Sequence, residues 1–193
     1  MLLVQVILAS TRGGRFSERA GRWVLERLET RGDMEIELID LRDYPLPFFD
    51  AAPPARTLRD YPSAEVARFG RTIDRADGFV IVTPEYNHGY SAVLKNAIDH
   101  TFIEWRHKPV TFVGWGNVGG ARAIEQLRLV TVELEMAPLR HAVHILPEVL
   151  VPALRAEEFD PSMLDALTPR LTTMADDLLW WATALQAARA SES

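Results

Sequence analysis

The sequence predicts an α/β protein built as a doubly wound parallel sheet, and three observations carry that expectation. Short apolar runs recur at residues 2–9, 34–41, 78–83, 109–114 and 139–145, separated by segments of helical periodicity. The runs are nearly continuous rather than alternating, as in strands buried on both faces. Loops rich in glycine, serine or aromatic residues follow the first, third and fourth runs, and this topology places all three loops on one edge of the sheet.

Taken in order, the first run is interrupted only by Gln5, and from Ser17 the residues Ala20, Trp23, Val24 and Leu28 recur at helical spacing. Arg22 and Glu26 sit four apart on the solvated face of that helix. MEIELIDL at 34–41 predicts the second strand, residues 62–76 a helix carrying Val66, Phe69 and Ile73, and GFVIVT at 78–83 the third strand. Leu94, Ala97, Ile98, Thr101 and Phe102 continue at helical spacing. PVTFVG at 109–114 predicts the fourth strand, and residues 119–136 a helix with Ile124, Leu127, Thr131 and Leu134 in line. LRHAVHI at 139–145 is expected to be the fifth strand, and a last helix spans about 161–189. Residues 42–62 hold Pro45, Pro47, Pro53, Pro54 and Pro62 with Tyr44, Phe48, Phe49 and Tyr61, and a connection that long is either a lid over a site or an irregular strap.

Composition narrows the function. The 193 residues, 48% hydrophobic and 25% charged, fit one domain over 1–193. Absence of cysteine excludes thiolate nucleophiles, iron–sulfur clusters and cysteine zinc sites, so redox chemistry would need an organic cofactor. The net charge of −6 disfavours nucleic acid and anionic membrane as partners. No apolar run reaches the roughly 18 residues of a membrane span, and the N-terminus lacks a basic leader, which points to a cytoplasmic protein. Against the acidic whole, residues 1–31 hold Arg12, Arg15, Arg19, Arg22, Arg27 and Arg31 but only three glutamates and no aspartate, a local excess suited to a small anionic ligand.

The three loops refine that ligand. Ser10, Thr11, Arg12, Gly13, Gly14, Arg15, Phe16 and Ser17 offer hydroxyls and two guanidinium groups just before a helix N-terminus, which suits a phosphate. The plainer alternative is that Ser17 caps a helix and the arginines are solvated. The run is neither a Walker loop nor G-x-G-x-x-G. Pro84, Glu85, Tyr86, Asn87, His88 and Gly89 lead to Ser91, a candidate N-cap; Glu85 and His88 lack an obvious partner and are expected to position backbone rather than catalyse. His141 and His144 have no carboxylate at metal-ligand spacing, so no metal site is expected. Trp115, Gly116, Asn117, Val118, Gly119 and Gly120 would let a planar ring approach the backbone, or simply make a tight turn. A phosphate site beside a ring site describes a mononucleotide such as FMN.

The runs ASTRGGRFS, PEYNHGYSAVLKNAIDH and EWRHKPVTFVGWGNVGGARAIEQLR resemble the NADPH-dependent FMN reductase family over about residues 2–146. The resemblance implies a flavodoxin-like five-stranded sheet of order 2-1-3-4-5, FMN as cofactor, NADPH or NADH as hydride donor, and a flavin, quinone or other small molecule as acceptor. It also implies a homodimer or homotetramer. By it, Ser10, Arg12 and Ser17 hold the FMN phosphate, Pro84, Glu85, Tyr86 and Asn87 line the ribityl chain and ring, and Gly116 to Gly120 meet the pyrimidine edge. No catalytic acid or base is assigned, since the flavin carries the chemistry. Where many members have Ser-x-Pro-Gly, this chain has Gly89-Tyr90-Ser91-Ala92-Val93, which alters the turn beside the flavin.

Rival readings remain at this stage. A flavodoxin-like electron carrier usually has a phosphate loop resembling Thr-x-Thr-Gly-x-Thr, unlike the arginine-bearing loop here. A phosphoacceptor domain would need Asp where Thr83 and Pro84 stand. A flavin-binding regulator without turnover is separated only by an NAD(P)H oxidation assay. In the last helix Leu164, Leu167, Leu171, Met174, Leu178, Trp181 and Leu185 form one stripe, expected to cover the sheet. Trp180 lies about 100° around from Trp181, implying a second apolar surface with Trp105 and the proline-rich segment as candidate partners, and hence self-association.

Overall fold

The computed structural model describes residues 1–52, 54–57, 61 and 63–191. Its strands are β1 (Leu3–Leu8), β2 (Glu35–Asp40), β3 (Gly78–Pro84), β4 (Pro109–Trp115), β5 (Ala137–Pro138) and β6 (Val143–Ile145). The α-helices are α1 (Ser17–Glu29), α2 (Ala64–Asp74), α3 (Ala92–Asp99), α4 (Ala121–Glu133), α5 (Pro147–Arg155) and α6 (Thr168–Ser191). The sheet runs β2-β1-β3-β4-β5, with β6 also paired to β4, and every named pairing is parallel. This is the flavodoxin-like order expected from the sequence.

Alternation along the strands sorts the core into two layers. Val4, Val6 and Leu8 of β1 face Trp23, Val24 and Leu28 of α1 and Met174 and Leu178 of α6. Ile7 and Ala9 face Phe69 and Ile73 of α2, Leu94 and Ile98 of α3, and Ile124 and Leu127 of α4. β3 and β4 are buried at every position, which explains why GFVIVT and PVTFVG carry no polar alternation.

Four details depart from the sequence expectation. The fifth strand is not continuous over 139–145. Residues 139–141 give their carbonyls to side chains, those of Leu139 and Arg140 to Arg128 and that of His141 to Thr111. The ladder to β4 runs through the amides of Ala137 and Leu139, which donate to the Lys108 and Val110 carbonyls, and breaks after Leu139. Second, the sequence predicts no element between the fifth strand and residue 161, where α5 lies; Pro147 occupies its first helical turn, where its missing N–H costs nothing. Third, the last helix is preceded by a 3-10 segment, Pro161–Leu167, and α6 itself begins at Thr168.

Fourth, the stripe of α6 keeps Leu171, Met174 and Leu178 buried but then turns to Ala182, leaving Trp181 41% exposed beside Trp180 at 65%. Trp105, offered above as a surface partner, is instead buried against Phe79 and Phe69 and cannot contribute to an outer face.

The segment after β2 is a strap over its described length. Tyr44 packs on Phe69 and lies under the Arg68 guanidinium, while Asn96 donates to the Pro47 carbonyl and accepts from the Phe49 amide. Pro53 and Pro62, part of the same expectation, lie outside the described residues.

Candidate functional site

Parallel pairing brings the carboxyl ends of β1, β3 and β4 together, with Leu8 opposite Val82 and Pro84 opposite Trp115. The strand order reverses at β1 and β3, so the three loops leave the sheet around its switch point. Ser10 Oγ and the Tyr86 phenol oxygen are 2.8 Å apart and join the first loop to the second. Glu85 joins the second to the third through its amide, which donates to the Trp115 carbonyl at 3.0 Å.

In the first loop Thr11, Arg12, Gly13 and Gly14 are exposed, whereas Arg15, Phe16 and Ser17 are buried. Phe16 is the N-cap of α1 and makes no side-chain cap bond; its ring packs edge-on against Trp115 at 5.6 Å. Ser17, expected either to cap the helix or to meet a phosphate, does not cap it. Its Oγ is one of two buried side-chain polar atoms without a hydrogen-bond partner among the described residues, the other being Gln5 Oε1. A buried hydroxyl left unpaired costs about 1–3 kcal/mol, and here it sits in the first turn of a helix below an exposed loop.

The arginine cluster resolves into different duties. Arg15 is withdrawn from any ligand: its guanidinium, 1% exposed, pairs with Asp40 and Glu18 and donates to the Ser10 carbonyl. Burial pushes the Asp40 carboxyl up, but the Arg15 hydrogen bond and the Arg42 amide outweigh it and hold that carboxyl below the usual range. Arg22, Arg27 and Arg31 pair with acids, and Arg19 donates to the Ala153 and Leu154 carbonyls. Among these six described arginines, Arg12 is the one whose guanidinium has neither an acid nor a carbonyl; it lies 6.0 Å from the centre of the Tyr86 ring.

The second loop closes on itself. Tyr86 and Gly89 exchange backbone hydrogen bonds at 2.8 and 3.0 Å around Asn87 and His88, both at positive φ. Two left-handed central residues make this a type I′ turn, which turns the chain in four residues and leaves Asn87 exposed. Ser91 caps α3 as expected, accepting from the Leu94 amide at 3.3 Å. Glu85 is not directed at a ligand. Its carboxylate, 4% exposed, accepts from the Arg122 amide at 3.1 Å and from Arg122 Nε at 2.6 Å. Burial pushes this carboxyl up, yet the Arg122 side chain and the amides of Arg122 and Ala123 prevail and keep it below the ordinary glutamate value.

The third loop is tighter than an open cradle. Gly120, at φ +73°, would place a Cβ 2.8 Å from Gly114 Cα and from the Trp115 amide nitrogen, so no side chain fits. The Gly119 amide already donates to the Gly116 carbonyl at 3.0 Å, and that of Arg122 serves Glu85. The Trp115 side chain belongs to the core. His144 Nδ1 donates to the Gly119 carbonyl at 3.0 Å, and His141 pairs with Asp177.

The model of the NADPH-dependent FMN reductase family matches residues 2–149. The chain belongs to that family. An NAD(P)H-dependent FMN reductase of Schizosaccharomyces pombe is 38% identical over 134 residues, 69% of this chain and 67% of the relative. One of Saccharomyces cerevisiae is 33% identical over 168 residues, 78% and 88% of the two chains. The solved structure of FerB, an NAD(P)H:(acceptor) oxidoreductase of Paracoccus denitrificans, matches with a TM-score of 0.69 at 22% identity over 95% of this chain and 98% of its own. That likeness concerns the fold.

Within the FMN reductase family fold, sequence reasoning missed Asp40 and Arg122. Both face the site loops only through tertiary pairing, and nothing in their local spacing announces it. No helix among the described residues is long and apolar enough to cross a membrane.

Proposed function

We propose that this chain binds FMN beyond the carboxyl ends of β1, β3 and β4 and passes reducing equivalents from NADPH or NADH to a small-molecule acceptor. The observation that carries the reading is Ser17 Oγ, buried and unpaired beneath a loop whose Arg12 guanidinium has no acid or carbonyl partner. A phosphate there would satisfy both, and Ser10 and Thr11 add hydroxyls beside it. Pro84, Glu85, Tyr86 and Asn87 would border the ribityl chain by backbone and by the Tyr86 ring. Trp115, Gly116, Gly119 and Gly120 would form the wall against the ring edge.

FMN, when bound, supplies the redox chemistry by accepting a hydride from the nicotinamide and delivering it to the acceptor. The protein's share is position: Ser10 and Tyr86 tie two loops together, and the type I′ turn keeps bulk away from the ring face. Nicotinamide and acceptor would use that face in turn. Family membership and the names of relatives, which include an FMN-dependent NADPH-azoreductase of Staphylococcus haemolyticus at 28% identity, support a flavin or an azo compound as acceptor; a quinone is the further acceptor that the family resemblance implies.

The test is steady-state NAD(P)H oxidation by the FMN-loaded protein with a quinone. Parallel double-reciprocal lines are expected; intersecting lines exclude the shared face, and no oxidation at all favours an electron carrier or a regulator instead.

The reading extends to assembly: one domain over 1–193 that acts in the cytoplasm as a homodimer or homotetramer. Trp180 on α6, with Leu129 at 76% and Val132 at 59% exposure on α4, supplies apolar surface for self-association. Light scattering should return at least twice the 21.7 kDa chain mass.

A further inference from the structure

We propose that Glu85 and Arg122 act as a charge-balanced pair that sets how tightly the site holds reduced relative to oxidised flavin. The inference rests on the reading that the FMN ring lies against the Gly116–Gly120 loop.

Glu85 leaves β3 and turns its carboxylate inward, under that loop. A Cβ on Gly116 would lie 3.2 Å from Glu85 Cβ, so the stem of the acid and the third loop are in contact. The carboxylate takes the Arg122 amide at the start of α4 together with the Arg122 guanidinium. The start of α4 carries the partial positive charge of a helix N-terminus. Left open, that charge would favour an anion on the adjacent ring. Glu85 occupies it with an internal anion, and Arg122, 38% exposed on its side chain, returns one positive charge.

Hydride transfer adds two electrons and one proton to the ring, so reduced FMN carries one more negative charge than oxidised FMN until a second proton is taken from water. NAD(P)H correspondingly leaves as the oxidised nicotinamide. Any fixed charge near the ring therefore enters the difference between the two affinities, with a sign given by Coulomb's law. Glu85→Gln removes a negative charge while keeping an oxygen for the α4 amide, and leaves Arg122 uncompensated. Arg122→Gln leaves Glu85 uncompensated. The two single substitutions therefore push in opposite directions, whereas loss of a purely structural brace would weaken both forms of the cofactor together.

The measurement is the ratio of dissociation constants for oxidised FMN and dithionite-reduced FMN, titrated anaerobically on the intact chain. Glu85→Gln should raise the ratio by about threefold to tenfold and Arg122→Gln should lower it by a similar factor; tenfold is about 30 mV for a two-electron couple. The double variant should return to within about twofold of wild type. Shifts of the same sign, or an unchanged ratio in either single variant, overturn the inference while leaving FMN binding intact. Should Glu85→Gln fail to fold, Arg122→Gln decides: a fall supports the pair, and no change or a rise overturns it. A wild-type chain that binds no FMN overturns the functional reading and this inference with it.

Discussion

Ser10 Oγ and the Tyr86 phenol oxygen, 76 residues apart in sequence, meet at 2.8 Å and lock the loop after β1 to the loop after β3. A hydrogen bond of this kind contributes about 0.5–1.5 kcal/mol net. Tyr86→Phe keeps the ring but releases the two loops from each other. FMN affinity should fall by about twofold to tenfold in a fluorescence titration, and an unchanged affinity would show that the loops are set by their strands alone.

Arg12 is expected to make a charge-assisted contact with the FMN phosphate. Arg12→Ala should weaken FMN by about 1.5–3 kcal/mol and leave riboflavin, which lacks the phosphate, nearly unaffected. Equal losses for both ligands in parallel titrations would remove Arg12 from the phosphate site.

Arg15 is expected to act on the fold rather than on the ligand charge. Arg15→Met strands Asp40 beside the Ser10 carbonyl and should cost about 3–5 kcal/mol in a urea denaturation. The Asp40 carboxyl is held low in the folded state, so its contribution is present above the unfolded carboxylate range and is lost as pH falls through the folded value. Wild-type stability should therefore drop on acidification below about pH 4, with a shallower drop in Arg15→Met.

Gly13 and Gly120 should respond in opposite ways to alanine. Gly120→Ala meets backbone atoms at 2.8 Å at a left-handed residue, and should lower stability by more than about 1 kcal/mol and abolish FMN binding. Around Gly13 nothing lies within 4 Å of an added Cβ, so Gly13→Ala should fold as wild type does. Thermal melts of the two variants check the pair.

Lys108 is buried, and its Nζ donates to the Asp74 carbonyl at 2.7 Å and to the Ile73 carbonyl at the end of α2. Burial pushes its ammonium down to about 8, against the opposing attraction of Asp74. The unfolded chain therefore binds more protons between about pH 8 and 10.5, and this group adds stability as pH rises through that window. Urea midpoints at pH 7.5 and 10 should differ by less in Lys108→Met than in wild type; an equal difference would assign the rise to other groups.

The identity of the central strands was legible because β3 and β4 are buried at every position and their sequences are apolar throughout, whereas the strand order came from the family resemblance and not from the strands themselves. The candidate loops were legible for the same reason, since each follows a recognisable strand. What sequence could not separate was the duty of each arginine. Arg12 and Arg15 stand three apart in one loop, yet one is exposed and the other bound to Asp40, and Asp40 reaches it only because β2 pairs alongside β1. Glu85 likewise reads as a loop acid until α4 is packed against it. In α6 the heptad pattern runs through Trp181 to Leu185, but Ala182 takes the buried position beside a 41% exposed Trp181, and Arg189 still reaches Asp77 ahead of β3. Periodicity gives a face, not the point at which its cover ends.

Asn96 treats the strap as a neighbouring strand would, giving a proton to the Pro47 carbonyl and taking one from the Phe49 amide, while His100 meets the same Pro47 carbonyl at 2.8 Å. Phe48, between those anchors, is 85% exposed. An aromatic ring so displayed has a fixed backbone beneath it and only two torsions still to lose. Covering it would thus forfeit little conformational freedom, so most of the free energy of burying the ring would be retained as adhesion.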